Sequence, residues 1–167
     1  MSIQIGIILG SDSDFPYIEK GIKILKEFQV PFEIEVSSAH RTPARTIELV
    51  KAFEKNGASV IIAAAGGAAH LPGVIASHTQ LPVLGVPINS ALSGVDSLYS
   101  IVQMPGGIPV AAFGIGNSGG VNSILFSLQI LALNDDGIKE KLVDFREKQT
   151  LTVREKSRKL KEKIEVL

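Results

Sequence analysis

Three short stretches of this chain carry side chains suited to chemistry. In Ser38-Ala39-His40-Arg41-Thr42-Pro43 an imidazole stands beside a guanidinium. Histidine titrates near neutrality and can move protons, and a guanidinium can clamp a phosphate through two hydrogen bonds. Arg41 is one of only two arginines before residue 146. The plain alternative is a surface loop whose arginine pairs with a carboxylate. In Gly10-Ser11-Asp12-Ser13-Asp14, serine hydroxyls and the free N–H groups of a following helix suit a phosphate. Asp14 could accept from sugar hydroxyls, or simply cap the helix. In Ala65-Gly66-Gly67-Ala68-Ala69-His70 almost no side chain precedes the histidine, so a flat ligand could lie against the backbone. The alternative there is close packing of helix on strand, with His70 a buried, satisfied histidine.

Other patterns point away from function. Gly114-x-Gly116-x-x-Gly119 matches a dinucleotide fingerprint. It follows the fifth strand rather than the first, and no ribose-binding acid ends a strand about 20 residues on, so these glycines read as sites of close packing. The chain has three histidines and no cysteine, with no i, i+4 histidine pair, so no metal site is expected. No Ser-His-Asp set occurs in a nucleophile elbow. His78 lies beyond the third loop on a helix and reads as structural. Asp96 reads as a carboxylate accepting serine or backbone hydrogen bonds at a helix start.

The elements that must hold these loops alternate. Residues 3–9, 32–36, 60–64, 82–86 and 109–113 are short apolar runs of the kind found in sheets covered on both faces. Helical patterns fall between them: one opened by Asp14 and Pro16 and broken by Pro31, one opened by Thr42 and Pro43 and ended by Gly57, a short one opened by Pro72, one at 97–103, and one after Gly119-Gly120 running to about Asn134. This is a three-layer α/β/α sandwich around a five-stranded parallel sheet, in which ligands bind beyond the carboxyl ends of the strands. The reading is of one domain, an α/β body over residues 1–134 and a charged helical segment over residues 135–167.

Charge is distributed unevenly. The chain of 167 residues is neutral overall, with 17 basic and 17 acidic side chains, yet the 79 residues between Lys55 and Asp135 carry only Asp96. Zero net charge argues against a nucleic-acid binder. Gly, Pro, Ser, Asn and His interrupt every apolar run before the ~20 residues that a membrane span needs, and the N-terminus reads as a strand rather than a signal peptide. Exposed surface is usually charged, so the uncharged stretch predicts a homo-oligomer with a large interface. The absence of cysteine suits a reducing, cytoplasmic setting.

The motifs occur in a familiar order: Gly10-Ser-Asp-Ser-Asp14, Ser38-Ala-His-Arg-Thr-Pro43, Ala65-Gly-Gly-Ala-Ala-His-Leu-Pro-Gly73, Leu81-Pro-Val-Leu-Gly-Val-Pro87 and Asp96-Ser-Leu-Tyr-Ser-Ile-Val-Gln-Met-Pro105. Over about residues 3–150 the chain resembles the class I N5-carboxyaminoimidazole ribonucleotide mutases of purine synthesis. The resemblance implies a flavodoxin-like subunit of a homo-octamer, working on a small ribonucleotide without metal or organic cofactor. By motif, Ser11, Ser13 and Arg41 would hold the 5′-phosphate and Asp14 the ribose. Ser38 and Ala39, with Ala65, Gly66, Gly67, Ala68, Ala69 and Leu71, would enclose the imidazole and its carboxylate. His40 would be the general acid–base group, and His70 would shape and polarise the carboxylate pocket. The nearest alternative is the class II enzyme, which carboxylates aminoimidazole ribonucleotide with carbon dioxide directly; the Gly-Gly-Ala-Ala-His-Leu-Pro-Gly motif favours class I. Two departures are visible: the loop Asn89–Gly94 is one residue short of the family pattern, and the tail beyond about residue 150 has no counterpart in it.

Overall fold

The structure, a computed structural model, describes residues 2–165 and 167. The first strand, β1 (Ile5–Leu9), is buried throughout and starts two residues later than its apolar run. Ile3 and Gln4 turn their N–H groups to the Asn56 and Pro31 carbonyls instead of a neighbouring strand. A single 3-10 turn (Asp12–Asp14) leads into α1 (Phe15–Phe28). That helix ends on Gln29, whose φ of 58° is left-handed, ahead of the expected break at Pro31. Next come β2 (Phe32–Val36), α2 (Pro43–Lys55), β3 (Val60–Gly66), α3 (Leu71–Ala76), β4 (Val83–Ile88) and α4 (Val95–Val102). The chain continues with β5 (Ala111–Ala112), α5 (Asn117–Leu131) and a single 30-residue helix, α6 (Asp136–Glu165).

All five strands are parallel, in the order β2-β1-β3-β4-β5. Alternate residues of the inner strands feed two cores. Ile5, Ile7 and Leu9 pack with Ile18, Ile22 and Leu25 of α1 and Ile124 and Leu128 of α5. Ile8, Ile61 and Ala63 pack with Leu49, Val50 and Phe53 of α2, Ile75 of α3 and Ile101 of α4. This is the expected three-layer sandwich. The strand order reverses between β1 and β3, which opens a crevice where the loops after these two strands diverge.

Two glycine contacts set the layer spacing. A Cβ on Gly6, in β1, would lie 2.2 Å from Cδ2 of Phe53, so the missing side chain is the socket for that ring. A Cβ on Gly120 would lie 2.1 Å from the Tyr17 carbonyl oxygen, where α5 crosses α1. Gly119 and Gly120 both lie inside the first turn of α5 rather than before it: Gly120 because the helix backbone approaches α1 there, and Gly119 because a Cβ would lie 1.7 Å from the Gly114 carbonyl oxygen. The contact of Gly119 with the Gly114 carbonyl, together with the positive φ of 74° at Gly116, accounts for the misleading glycine fingerprint. Ser123 and Ser127, fully buried in α5, return their hydroxyls to the Gly120 and Ser123 carbonyls of their own helix.

The fifth strand is shorter than its apolar run. Only Ala111 and Ala112 pair, with Leu84 and Gly85. It is an edge strand, and Pro109 has no N–H to extend the ladder. At the opposite end, α6 docks through Ile138, Leu142 and Phe145, and Lys141 Nζ donates to the Phe28 carbonyl at 2.8 Å, satisfying the end of α1. No helix among the described residues is long and apolar enough to cross a membrane.

Candidate active site

The loops after β1, β2 and β3 meet at the crevice. They enclose a cavity of about 430 Å³ lined by Gly10, Ser11, Asp14, Ser38, Ala39, His40, Arg41, Ala65, Gly66, Ala68 and Leu71, a size suited to a small ligand. Two larger grooves, of about 630 and 640 Å³, flank α6. Neither contains a histidine or a loop from a strand end, so the smaller cavity is the chemical candidate.

The loop between β2 and α2 is tied by its own hydroxyls. Thr42 N–H donates to the Ser38 carbonyl at 2.8 Å, and Thr42 Oγ1 accepts from Ser38 N–H at 2.9 Å. Ser37 Oγ lies 2.8 Å from Thr46 Oγ1, and both residues are buried. Ser38 Oγ accepts from Arg41 N–H at 3.2 Å. These bonds make a closed turn that holds His40 and Arg41 out at its tip. Arg41 is exposed and has no carboxylate within ion-pair distance among the described residues. The alternative of an arginine spent on a surface ion pair therefore describes Arg45, which lies 3.7 Å from Glu35 and 3.8 Å from Glu48.

The loop after β1 departs from expectation. Ser11 N–H donates to Asp14 Oδ2 at 3.0 Å, Ser13 N–H donates to Asp12 Oδ1 at 3.0 Å, and Asp14 N–H donates to the Ser11 carbonyl at 3.1 Å. The N–H groups of Ser11, Ser13 and Asp14 are thus engaged within the loop, and so are its hydroxyls: Ser11 Oγ donates to Asp12 Oδ1 at 3.1 Å and Ser13 Oγ to Ser11 Oγ at 2.8 Å, so a phosphate must displace the loop's own bonds to meet these donors. Asp14 likewise does not cap α1, since its carboxylate turns back to Ser11. Asp14 is only 6% exposed, and burial raises its carboxyl above the usual range. Ser13 does not line the cavity; its hydroxyl lies 2.8 Å from that of Ser11.

The loop after β3 folds on itself. Ala69 and His70 N–H groups donate to the Gly67 and Ala68 carbonyls, each at 2.8 Å. The Ala68 N–H has no acceptor among the described residues. Ala69 faces the core rather than the cavity, and Gly67 stands behind the wall. His70 is exposed, not buried as its alternative reading had it. It lies outside the cavity wall, with Nδ1 2.9 Å from His40 Nε2 and the two rings edge to face at 4.9 Å. One ring donates and the other accepts, so a single N–H···N hydrogen bond links the two imidazoles. His78 lines no part of the cavity and bonds Ser77 at 2.8 Å.

Sequence reasoning missed Gly10, which floors the cavity after β1, and a set of serines beneath the third loop. Ser90 Oγ donates to Asp96 Oδ1 at 2.5 Å, and Ser97 Oγ accepts from Gly67 N–H at 2.9 Å. Asp96 does stand at a helix start bonded by a serine, as expected.

A 2-1-3-4-5 parallel sheet with a polar pocket at its switch point defines the flavodoxin-like class of α/β proteins. Two crystal structures share it: a Treponema denticola PurE2 variant superposes with a TM-score of 0.85 at 26% identity, covering 96% of this chain and 99% of that one, and Treponema denticola PurE superposes at 0.83 and 27%, covering 94% and 98%. The AIR carboxylase family profile matches residues 4–152, and the chain belongs to that family. It is 55% identical to the N5-carboxyaminoimidazole ribonucleotide mutase of Pyrococcus horikoshii, over 95% of this chain and 89% of the relative. It is 51% identical to the Escherichia coli K12 enzyme of the same name, over 88% of each.

Proposed function

We propose that this protein interconverts N5-carboxyaminoimidazole ribonucleotide and 4-carboxy-5-aminoimidazole ribonucleotide, as a mutase of purine (IMP) synthesis. The observation that carries the reading is the His40–His70 pair at a cavity that also presents Arg41, without an ion-pair partner among the described residues, and the buried Asp14. Arg41 and the Ser11 hydroxyl hold the phosphate, with Ser13 bonded to Ser11 from outside the cavity lining, and Asp14 holds the ribose. Ser38 and Ala39, with Ala65, Gly66, Ala68 and Leu71, surround the base and its carboxylate.

The chemistry then needs one proton carrier. The carbamate N–C bond breaks, its electron pair stays on nitrogen, and His40 supplies the proton that nitrogen takes up. Carbon dioxide is held in a cavity of alanine and glycine while C4 attacks it. His40, now neutral, recovers a proton from C4, so the step ends with the protein unchanged and substrate and product isomeric. His70 polarises the site through its bond to His40.

Assembly as a cytoplasmic homo-octamer belongs to the same proposal. The scarcity of charge between Lys55 and Asp135 supports it, as do Val95, Tyr99 and Val102, which form an exposed apolar stripe along α4 at helical spacing.

The test is to supply either the carbamate or aminoimidazole ribonucleotide with bicarbonate. Product from the carbamate without added bicarbonate is expected; product from the second mixture alone would make the protein a direct carboxylase.

A further inference from the structure

The reaction scheme leaves unexplained a buried hydroxyl on α4. Ser97 has no exposed surface, yet its Oγ accepts the Gly67 N–H at 2.9 Å and donates to the Ile88 carbonyl at 2.7 Å. It thereby joins the pocket loop to the end of β4. Ser100, one turn on, donates to the Asp96 carbonyl at 2.8 Å and reaches the Gly67 carbonyl at 3.4 Å. Both polar groups of Gly67 are met by serines of one helix.

Gly67 has a φ of +65°, and beyond its chain neighbours no atom lies within 4 Å of where its Cβ would stand. Glycine is there for its backbone conformation, and hydroxyls set how the peptide is turned. The next three residues take their places from that turn. The Ala69 N–H closes on the Gly67 carbonyl, the Ala68 N–H is left without an acceptor among the described residues, and His70 leads out to His40.

We propose that Ser97 is a positioning residue of the reaction: its hydroxyl orients the Gly67 peptide, and through it the pocket wall and the His70 ring that holds His40. The choice of assay rests on the mutase reading; the placement of the loop does not. Ser90 Oγ lies 3.2 Å from Ser97 Oγ but donates its proton to Asp96, as Ser97 donates its own to Ile88, so the bond to Gly67 rests on Ser97 alone.

The test compares Ser97→Ala with Ser123→Ala. Ser123 is as deeply buried, but its hydroxyl returns to its own helix on α5. Ser97→Ala is expected to lower kcat at least about tenfold, the scale of a misplaced catalytic group. Affinity for aminoimidazole ribonucleotide, which lacks the carboxylate, stays within about twofold, and amide hydrogen exchange at residues 66–70, read by mass spectrometry, becomes faster. Ser123→Ala is expected to shift the melting midpoint comparably and leave kcat unchanged. Unchanged kcat in Ser97→Ala, or an equal loss in Ser123→Ala, overturns the proposal. If the wild-type protein turns over neither carboxylated nucleotide, the mutase reading fails instead. The exchange measurement then decides alone: faster exchange in Ser97→Ala supports the positioning role, and unchanged exchange overturns it.

Discussion

Replacing His40 with asparagine separates chemistry from folding, because the structure assigns the two very different magnitudes. The ring is exposed and makes one side-chain hydrogen bond, to His70. Such a bond contributes about 1 kcal/mol net, and less in water, and asparagine suits a tight turn. For a chain of this size a loss of about 1 kcal/mol lowers the melting midpoint by roughly 2–4 °C. Arg41, Ser11 and Asp14 are untouched, so ribonucleotide affinity should stay within about threefold. Asparagine cannot carry a proton, and acid–base catalysis of this kind contributes about 10²–10⁴ in rate; the lower bound alone is roughly 2.7 kcal/mol of barrier. Steady-state conversion of the carbamate, titration calorimetry with the carboxylated product and a thermal melt read the three quantities independently. Turnover above about a tenth of wild type would refute the acid–base role of His40. A collapse of binding or melting in step with turnover would refute the claim that the loss is chemical.

The same geometry sets three further outcomes. Burial raises the Asp14 carboxyl, so its ionisation costs the folded state: wild type loses stability relative to Asp14→Asn as pH rises from the ordinary aspartate range near ~3.9 through the raised value. Ligand-free melts across pH 4–8 check this, and a wild type that gains on the variant with rising pH contradicts it. Gly120→Ala places a methyl where the Tyr17 carbonyl lies 2.1 Å away; overpacking costs about 1–3 kcal/mol, against up to about 1 kcal/mol gained in helix propensity, so a lowered denaturant midpoint is expected. Tyr99→Lys puts a charge in the apolar stripe of α4; light scattering should show a smaller species than wild type, and an unchanged mass places the subunit contact elsewhere.

The sheet was legible because strands covered on both faces leave short apolar runs, and β2 runs over the residues its alternation marked. The ends were less legible where tertiary contacts decide them. Pro109 and an edge position shorten β5, and Gly119-Gly120 read as a boundary although close approach to the Gly114 carbonyl and to α1 dictates them. The three loops of the site announced themselves by residue type. Their internal bonding did not: nothing in Gly10–Asp14 reveals that a 3-10 turn consumes its N–H groups. The bond between His40 and His70 joins residues 30 apart in sequence, with no spacing signal. Ser97 was invisible for a different reason, since a serine in a helix looks like a solvent-facing position until the fold buries it.

The socket at Gly6 ties sequence variation in the core to the pocket. Phe53 seats in it from the far end of α2, the helix that begins just beyond His40 and Arg41. Position 6 therefore acts as an index mark that sets how far α2 sits along the sheet. A side chain at position 6 would demand a smaller residue at position 53, so the two sites form a compensating pair. Drift at one without the other would displace the His40 turn and reach catalysis with no change to any residue of the pocket.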